Sequence, residues 1–578
     1  MKPTLRATLL VAMFVLVAMF VLLAPASYAE DSDANSKKLR VALVQMALRP
    51  SLTENRDRIV QGITQAADRQ ARVAVFPERA LTGSGSENQE LVEAAVEVIR
   101  RAAREHGVYV VSGAHSWLPS VKTNANWMIA IGPDGQELMR YEKLYNNHRA
   151  KMPGVFLVDG VPCSTAICAD RWLRGVVEIP IQQGAQVFFE LSNNYACEWV
   201  EPYQWYWNSP QARRNTIWSI FCNSGNLVSQ VAAAPDHLKH GHSAFIGPDG
   251  SVVAATTDDA EQLVVADIDV AQATRAMARA RGEHPALRPF WEAGVKLQQG
   301  AAITAPPFKP LQSPAIDITL AVAPVSGDLP QMENLIGQAS ARRANLIAFP
   351  AQAVSEDALD RLRAAALQNQ ITVVVGAKHR VAEGLCNSAF VIGPDGAVLT
   401  RYDQLSAAAP FQPGADPRAM WFRVKGVPAV VTIEQDALWT EISELAAVAG
   451  AQLHIHLDHD PDDTSAGRHR HLQNWTNCAS FLTFTAAVNS VDAMLWDDLR
   501  GREEVRTAVK GTPKPDLGKL EVESPFSANL IARASPGELI VATRRVSASN
   551  QHHPTRTSNF NPQMKPWYEL GAQLIGPK

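Results

Sequence analysis

The sequence predicts an α/β protein built from two similar halves, and three observations carry that prediction. Short apolar strand-like runs alternate with amphipathic helical stretches along most of the chain. The same series of segments occurs twice, in the same order and at a near-constant offset. A length of 578 residues also exceeds what one hydrophobic core organises, so two or more domains are expected.

The elements read in order as follows. LRVALVQM is a strand, and Asn55 to Arg69 carries Ile59, Val60, Ile63, Ala66 and Ala67 at helical spacing. VAVFP is a short strand ended by Pro77. Gln89 to Glu105 is a second amphipathic helix, followed by the strand VYVVSGA and by NANWMIAIGPDG, a strand entering a tight turn. The second half repeats this with ITLAVAP, a helix around Leu335 to Arg343, LIAFP, a helix from Leu359 to Leu367, TVVVGA and NSAFVIGPDG. Between the halves, QQGAAITAPPFKPLQSP is rich in proline and small residues and reads as a linker. The expected division is a leader at 1–29, a first domain at 38–295, the linker at 296–315, a second domain at 316–545 and a tail at 546–578.

Composition excludes some functions. With 46% hydrophobic and 19% charged residues, a net charge of −4 and no basic run, the chain offers no face for nucleic acid. Lys2 and Arg6 precede an apolar stretch from Ala7 to Ala24, and PASYAED then offers a cleavage point after Ala29. The expectation is export, as a periplasmic or secreted protein, with an uncleaved anchor as the alternative. The six cysteines show no CxxC spacing, so neither a zinc nor a redox motif is expected. Cys163 and Cys168 lie five residues apart on one strand-like run, so their side chains should point to opposite sides or lie too far apart to pair easily.

Where the halves differ is informative. VFPERA in the first half matches AFPAQA in the second, so Glu78 faces Ala351. RYEKL matches RYDQL, setting Lys143 against Gln404, and AICADRW matches TIEQDALW, setting Cys168 against Glu434. The first half thus holds a carboxylate, an ammonium and a thiol that the second has lost. Glu78 follows a strand end and Cys168 sits where a strand gives way to a helix, as functional groups do in α/β sheets. A helix N-terminus and a nearby Lys143 favour a thiolate, and Lys143 can also stabilise an oxyanion. Glu78 can take the thiol proton and pass it to a leaving amine.

In this order the segments VFPERALTG, RYEKLYN and AICADRW resemble those of the nitrilase, or carbon–nitrogen hydrolase, superfamily. QARRN, GHSAFIGPDG and LRPFWE are similar to further segments of the family. The resemblance covers about Lys38 to Glu292, and more faintly about Ile316 to Ala542. It implies two αββα sandwich domains in tandem, arranged as a pseudo-dimer, the second one degenerate. It also implies a cysteine acyl-enzyme that hydrolyses a non-peptide C–N bond of amide or carbamoyl type, with Glu78 as base, Lys143 as oxyanion partner and Cys168 as nucleophile. The expected partner is a small amide-like molecule, with no cofactor and no metal; higher oligomers stay open.

The chain departs from the family pattern in two places. No glutamate lies between Lys143 and Cys168, where the family usually has one, and Tyr145 stands where a histidine often follows the lysine. Asn147, His148 or an acid from elsewhere are the candidates for the missing group. Two other readings are therefore kept beside the hydrolase: a non-catalytic binding or scaffold protein, and a thiol acyltransferase. HIHLDHDPDD has a metal-like composition, but the repeat makes it a strand end and loop. The aromatic run WVEPYQWYWN is either the mouth of a substrate site or packing.

Overall fold

The computed structural model describes residues 37–83, 85–194, 205–227, 239–461, 464–480, 484–498, 528–546 and 562–577. The expected leader lies outside them, as do Trp199 to Gln204 of the aromatic run.

Each half is a pair of mixed sheets. In the first sheet the strands run Gln262–Asp269, Lys38–Gln45, Val73–Val75, Tyr109–Leu118, Thr123–Ile131 and Glu137–Glu142. Its middle pairs are parallel and its edges antiparallel. The second sheet runs Val252–Ala255, Ala244–Ile246, Trp218–Cys222, Val187–Leu191, Val161–Ile167 and Phe156–Val158. The second half repeats both orders, from Val398–Asp403 to Ile540–Val546 and from Trp421–Val424 to Ala528–Ala534. Two αββα domains in tandem are therefore present.

The layers follow from the pattern of apolar residues. The helices Leu52–Asp68 and Gln89–His106 bury Ile59, Ile63, Val92, Val96 and Ile99 against the outward face of the first sheet. Ser51 and Asn88 cap them by accepting from the N–H groups of Glu54 and Glu90. Leu335, Ile336, Leu362 and Ala366 do the same in the second half. The opposite face of each sheet meets its partner sheet, and there one apolar core runs without a break through both domains.

That continuity has a specific seam. The helix Arg174–Gln182 follows the Cys168 turn, and its repeat, Thr440–Ala449, follows Glu434. The helix Arg288–Gln298 packs on the former, and Lys565–Ile575 packs on the latter. RPFWEAGVKL and KPWYELGAQL prove to be one more repeat, so the segment read as a tail ends in a helix that buries Trp567, Tyr568, Ala572 and Ile575 in the second domain. At the seam the matched rings of Phe290 and Trp567 stack at 4.5 Å and 9°. A Cβ on Gly294 would meet Trp567 and Ile179, and one on Gly571 would meet Phe290 and Leu445. This reciprocity is what a pseudo-two-fold contact produces.

Charges cross the same seam. Arg174 pairs with Glu178 at 3.0 Å and with Glu444, and it donates to Thr440 Oγ1 at 2.8 Å. Arg281 bridges Glu178 at 2.7 Å and Glu441 at 3.1 Å, while Arg214 reaches Glu178 at 3.0 Å and Gln473 at 3.1 Å. All of these side chains are buried. Three arginines against three glutamates leave the cluster neutral, as a buried ionic network requires.

Candidate active site

Glu78 leaves the strand Val73–Val75 through the turn after Pro77. Gly113 on the neighbouring strand makes that turn possible, because a Cβ there would lie 2.8 Å from the Glu78 Cα and 2.4 Å from the Arg79 nitrogen. Lys143 follows the edge strand Glu137–Glu142, and its backbone N–H donates to the Asn126 carbonyl at 2.7 Å. Cys168 ends the strand Val161–Ile167 at φ +49°, a left-handed conformation that few L-residues adopt. Where a helix was expected at once, a 3₁₀ turn spans Cys168–Trp172 and the α-helix begins at Arg174.

The structure brings the three residues together. Lys143 Nζ donates to Glu78 Oε1 at 2.8 Å, and Asn126 Nδ2 donates to the same oxygen at 2.7 Å. Burial by itself raises the Glu78 carboxyl, but the Lys143 charge and the two hydrogen bonds outweigh it and hold the group below the usual carboxylate range. Burial also opposes the charge on Lys143, where the neighbouring Cys168, Glu78 and Asp170 more than offset it and raise the ammonium. Glu78 is thus an ionised acceptor at neutral pH beside a fixed cation. Cys168 Sγ donates to Asn194 Oδ1 at 3.1 Å.

One residue locks this arrangement. Asp170, two residues beyond the thiol, accepts from the N–H groups of Leu144 at 3.1 Å and Tyr145 at 2.7 Å, and from the Tyr141 hydroxyl at 2.8 Å. It ties the segment bearing Lys143 to the turn bearing Cys168. Behind that turn, Arg171 donates to the Cys168 carbonyl at 3.0 Å and pairs with buried Glu190 at 2.8 Å. Asn208 and Ser192 complete the Glu190 shell at 2.9 and 3.1 Å. Both acids are consumed by structural bonds. Asn147 is committed too, donating to Glu142 at 2.8 Å and to the Lys143 carbonyl at 3.2 Å.

The second pocket keeps the frame and changes the contents. Glu434 stands at φ +44°, and Asp436 accepts from Ser406 N at 2.9 Å and from the Tyr402 hydroxyl at 2.8 Å. Gly376 again approaches the backbone of Ala351 and Gln352. Within the pocket, Glu434 Oε1 accepts from Gln352 Nε2 at 2.9 Å and Asn387 Nδ2 at 3.0 Å, and Asn387 also donates to Gln404 at 2.9 Å. His454 and His456 lie on the strand Leu453–Leu457 and face Thr432 Oγ1 at 2.7 and 2.9 Å. Asp458, at the strand end, is paired with Arg470. Of the aromatic run, Trp207 packs on Trp172 at 4.5 Å, and Trp205 donates to the His242 carbonyl at 2.9 Å.

Asn126, Asn194 and the bracing role of Asp170 were not anticipated. Asp170 had a signal, since the aspartate two places after the cysteine recurs as Asp436.

Residues 40–277 match the model of the carbon–nitrogen hydrolase family. This part of the chain is a nitrilase-superfamily domain. The omega-amidases NIT2 of Xenopus tropicalis and NIT2-B of Xenopus laevis are each 22% identical to this chain over 259 residues. Those alignments cover 40% of this chain and 89% of each relative. Among solved structures, an amidase from Nesterenkonia sp. aligns over 42% of this chain and 94% of its own, at 20% identity and a TM-score of 0.36. Nit3 of Saccharomyces cerevisiae aligns over 43% and 95%, also at a TM-score of 0.36.

Proposed function

We infer that the first domain is an amide hydrolase working through a cysteine acyl-enzyme, and that the protein is exported. The observation that carries this is the Glu78–Lys143 pair at 2.8 Å, held by Asp170 against the strained turn that presents Cys168. Glu78 takes the proton from Sγ, and the thiolate attacks the amide carbonyl carbon. The Lys143 ammonium neutralises the oxyanion as it develops. When the C–N bond breaks, Glu78 returns the proton to the leaving amine, and a thioester remains on Cys168. Water, deprotonated by Glu78, then attacks the thioester; the acid leaves, and the sulfur recovers its proton.

The second domain supplies no thiol, no ammonium and no base at the matching points. Its role in this reading is that of a built-in partner, with the helix after the Cys168 turn held by Glu441 and Glu444. The test is intact-protein mass after incubation with a panel of amides. A mass increment on wild type, absent from Cys168→Ala, is expected, together with loss of turnover in Cys168→Ala and Cys168→Ser. Undiminished hydrolysis in either variant removes Cys168 from the mechanism. An increment discharged only by added amines would make the enzyme an acyltransferase.

A further inference from the structure

We propose that Asn194 is the positioning residue of the nucleophile, its side-chain oxygen accepting the thiol hydrogen and fixing where the sulfur sits. The inference deepens the hydrolase reading, since it concerns the same sulfur. It starts from where the thiol hydrogen goes. Glu78 Oε1 already accepts from Lys143 and Asn126, while Cys168 Sγ donates to Asn194 Oδ1 at 3.1 Å. The acceptor is a neutral carboxamide, so it fixes the sulfur without competing with Glu78 for the proton.

Asn194 is built to hold still. It lies three residues beyond the strand Val187–Leu191 and is buried. Its backbone N–H donates to Asn223 Oδ1 at 2.9 Å, and its carbonyl accepts from His240 N at 3.3 Å. Asn223 is fixed in turn, donating through Nδ2 to the Gly241 carbonyl at 3.0 Å and accepting at no cost to that bond through Oδ1; its own N–H donates to Ser243 Oγ at 3.0 Å. Ser243 Oγ donates to Gln45 Oε1 at 2.9 Å. The carboxamide therefore hangs on a chain of bonds linking the ends of three strands in one sheet to the first strand of the other. In the second domain, where no thiol needs an acceptor, the matching residue is Asp460, which pairs with Arg470 at 2.5 Å.

A hydrogen bond to the neutral thiol favours the protonated form, and a carboxylate in the same place would favour it far more. The two substitutions Asn194→Ala and Asn194→Asp must then move the thiol in opposite directions. The experiment is the pH dependence of Cys168 alkylation by iodoacetamide on the full chain, read by peptide mass, with circular dichroism to confirm folding. Asn194→Ala should lower the midpoint by about half a unit to one unit. Asn194→Asp, which is isosteric, should raise it by about one unit or more and slow alkylation at pH 7 about tenfold. Any amide hydrolysis should fall about tenfold or more in Asn194→Ala, although its thiol is more ionised. Midpoints unchanged in both variants, or shifted the same way, overturn the proposal. Alkylation needs no substrate, so this result stands apart from whether the wild-type protein hydrolyses any amide.

Discussion

The two pockets share a frame and differ in what it presents. In the first, the brace of Asp170 and Tyr141 sets Lys143 beside Glu78 and behind a thiol. In the second, Asp436 and Tyr402 keep the same brace at the same 2.8 Å contact, and Glu434 keeps the left-handed backbone of Cys168. Yet Glu434, Gln352, Asn387 and Gln404 satisfy one another across that pocket. The bonds that hold the loops together are thus common to both pockets, while the side chains that the loops present differ. The left-handed φ shared by Cys168 and Glu434 likewise belongs to the turn, and by itself it is no sign of activity.

The sharpest way to break the comparison is at matched positions of the two pockets. Lys143→Ala should lower hydrolysis about a hundredfold or more, whereas Gln404→Ala should leave it within about twofold of wild type. Steady-state rates decide, and a comparable loss in Gln404→Ala would show that the second pocket takes part. Glu434→Cys in a Cys168→Ala background should restore nothing, since Ala351 and Gln404 still provide neither base nor cation.

The seam gives the next largest effect. Glu444→Ala leaves the buried Arg174 short of its counter-charge and should cost about 3–5 kcal/mol in urea unfolding. An exposed pair such as Arg361–Glu333 should cost far less when Glu333 is changed to alanine, because water screens it. Equal costs would mean that the seam opens to water.

Acid stability separates the domains more finely. Burial pushes His240 in the first domain and His454 in the second down to about 3. Because the folded value lies below the unfolded one, near 6.5, the contribution of each is whole above that pH. It is lost as pH falls toward 3, by about 1.4 kcal/mol per unit for each histidine. The counterpart of His454 is Phe188, so His454→Phe should flatten part of this slope, measured as unfolding free energy between pH 4 and 7. An unchanged slope would mean that His454 is not the titrating group. The smallest effect is at the braces, where Tyr141→Phe and Tyr402→Phe should each cost about 1 kcal/mol. Only the first should also slow turnover.

Much of this was legible before any coordinates. Repetition of VFP/AFP, RYEKL/RYDQL and IGPDG marks strand ends and turns whose chemistry is local, and the three substituted positions point to one site. What was hidden depends on distant partners. Asn194 meets Cys168 only because parallel strands end side by side, and nothing near either residue records that. The left-handed backbone at Cys168 is set by the turn around it, and a cysteine does not advertise such a φ as glycine would. The last helix escaped notice because the spacing between matched segments changes after the strand Ala493–Asp498, so KPWYELGAQL falls out of step with RPFWEAGVKL.

The hydrogen bond from Arg174 to Thr440 joins two positions that are repeats of one another. In a dimer of identical subunits the same spot on the axis would set arginine against arginine, two like charges in a dry seam. Fusion of the copies into one chain removes that constraint, since each side of the axis can be altered alone. One flank has become cationic and the other a hydroxyl backed by Glu441 and Glu444. Joining the halves in one chain therefore does more than keep them close: it gives the pair a handedness, with an arginine on one flank and a hydroxyl backed by two carboxylates on the other.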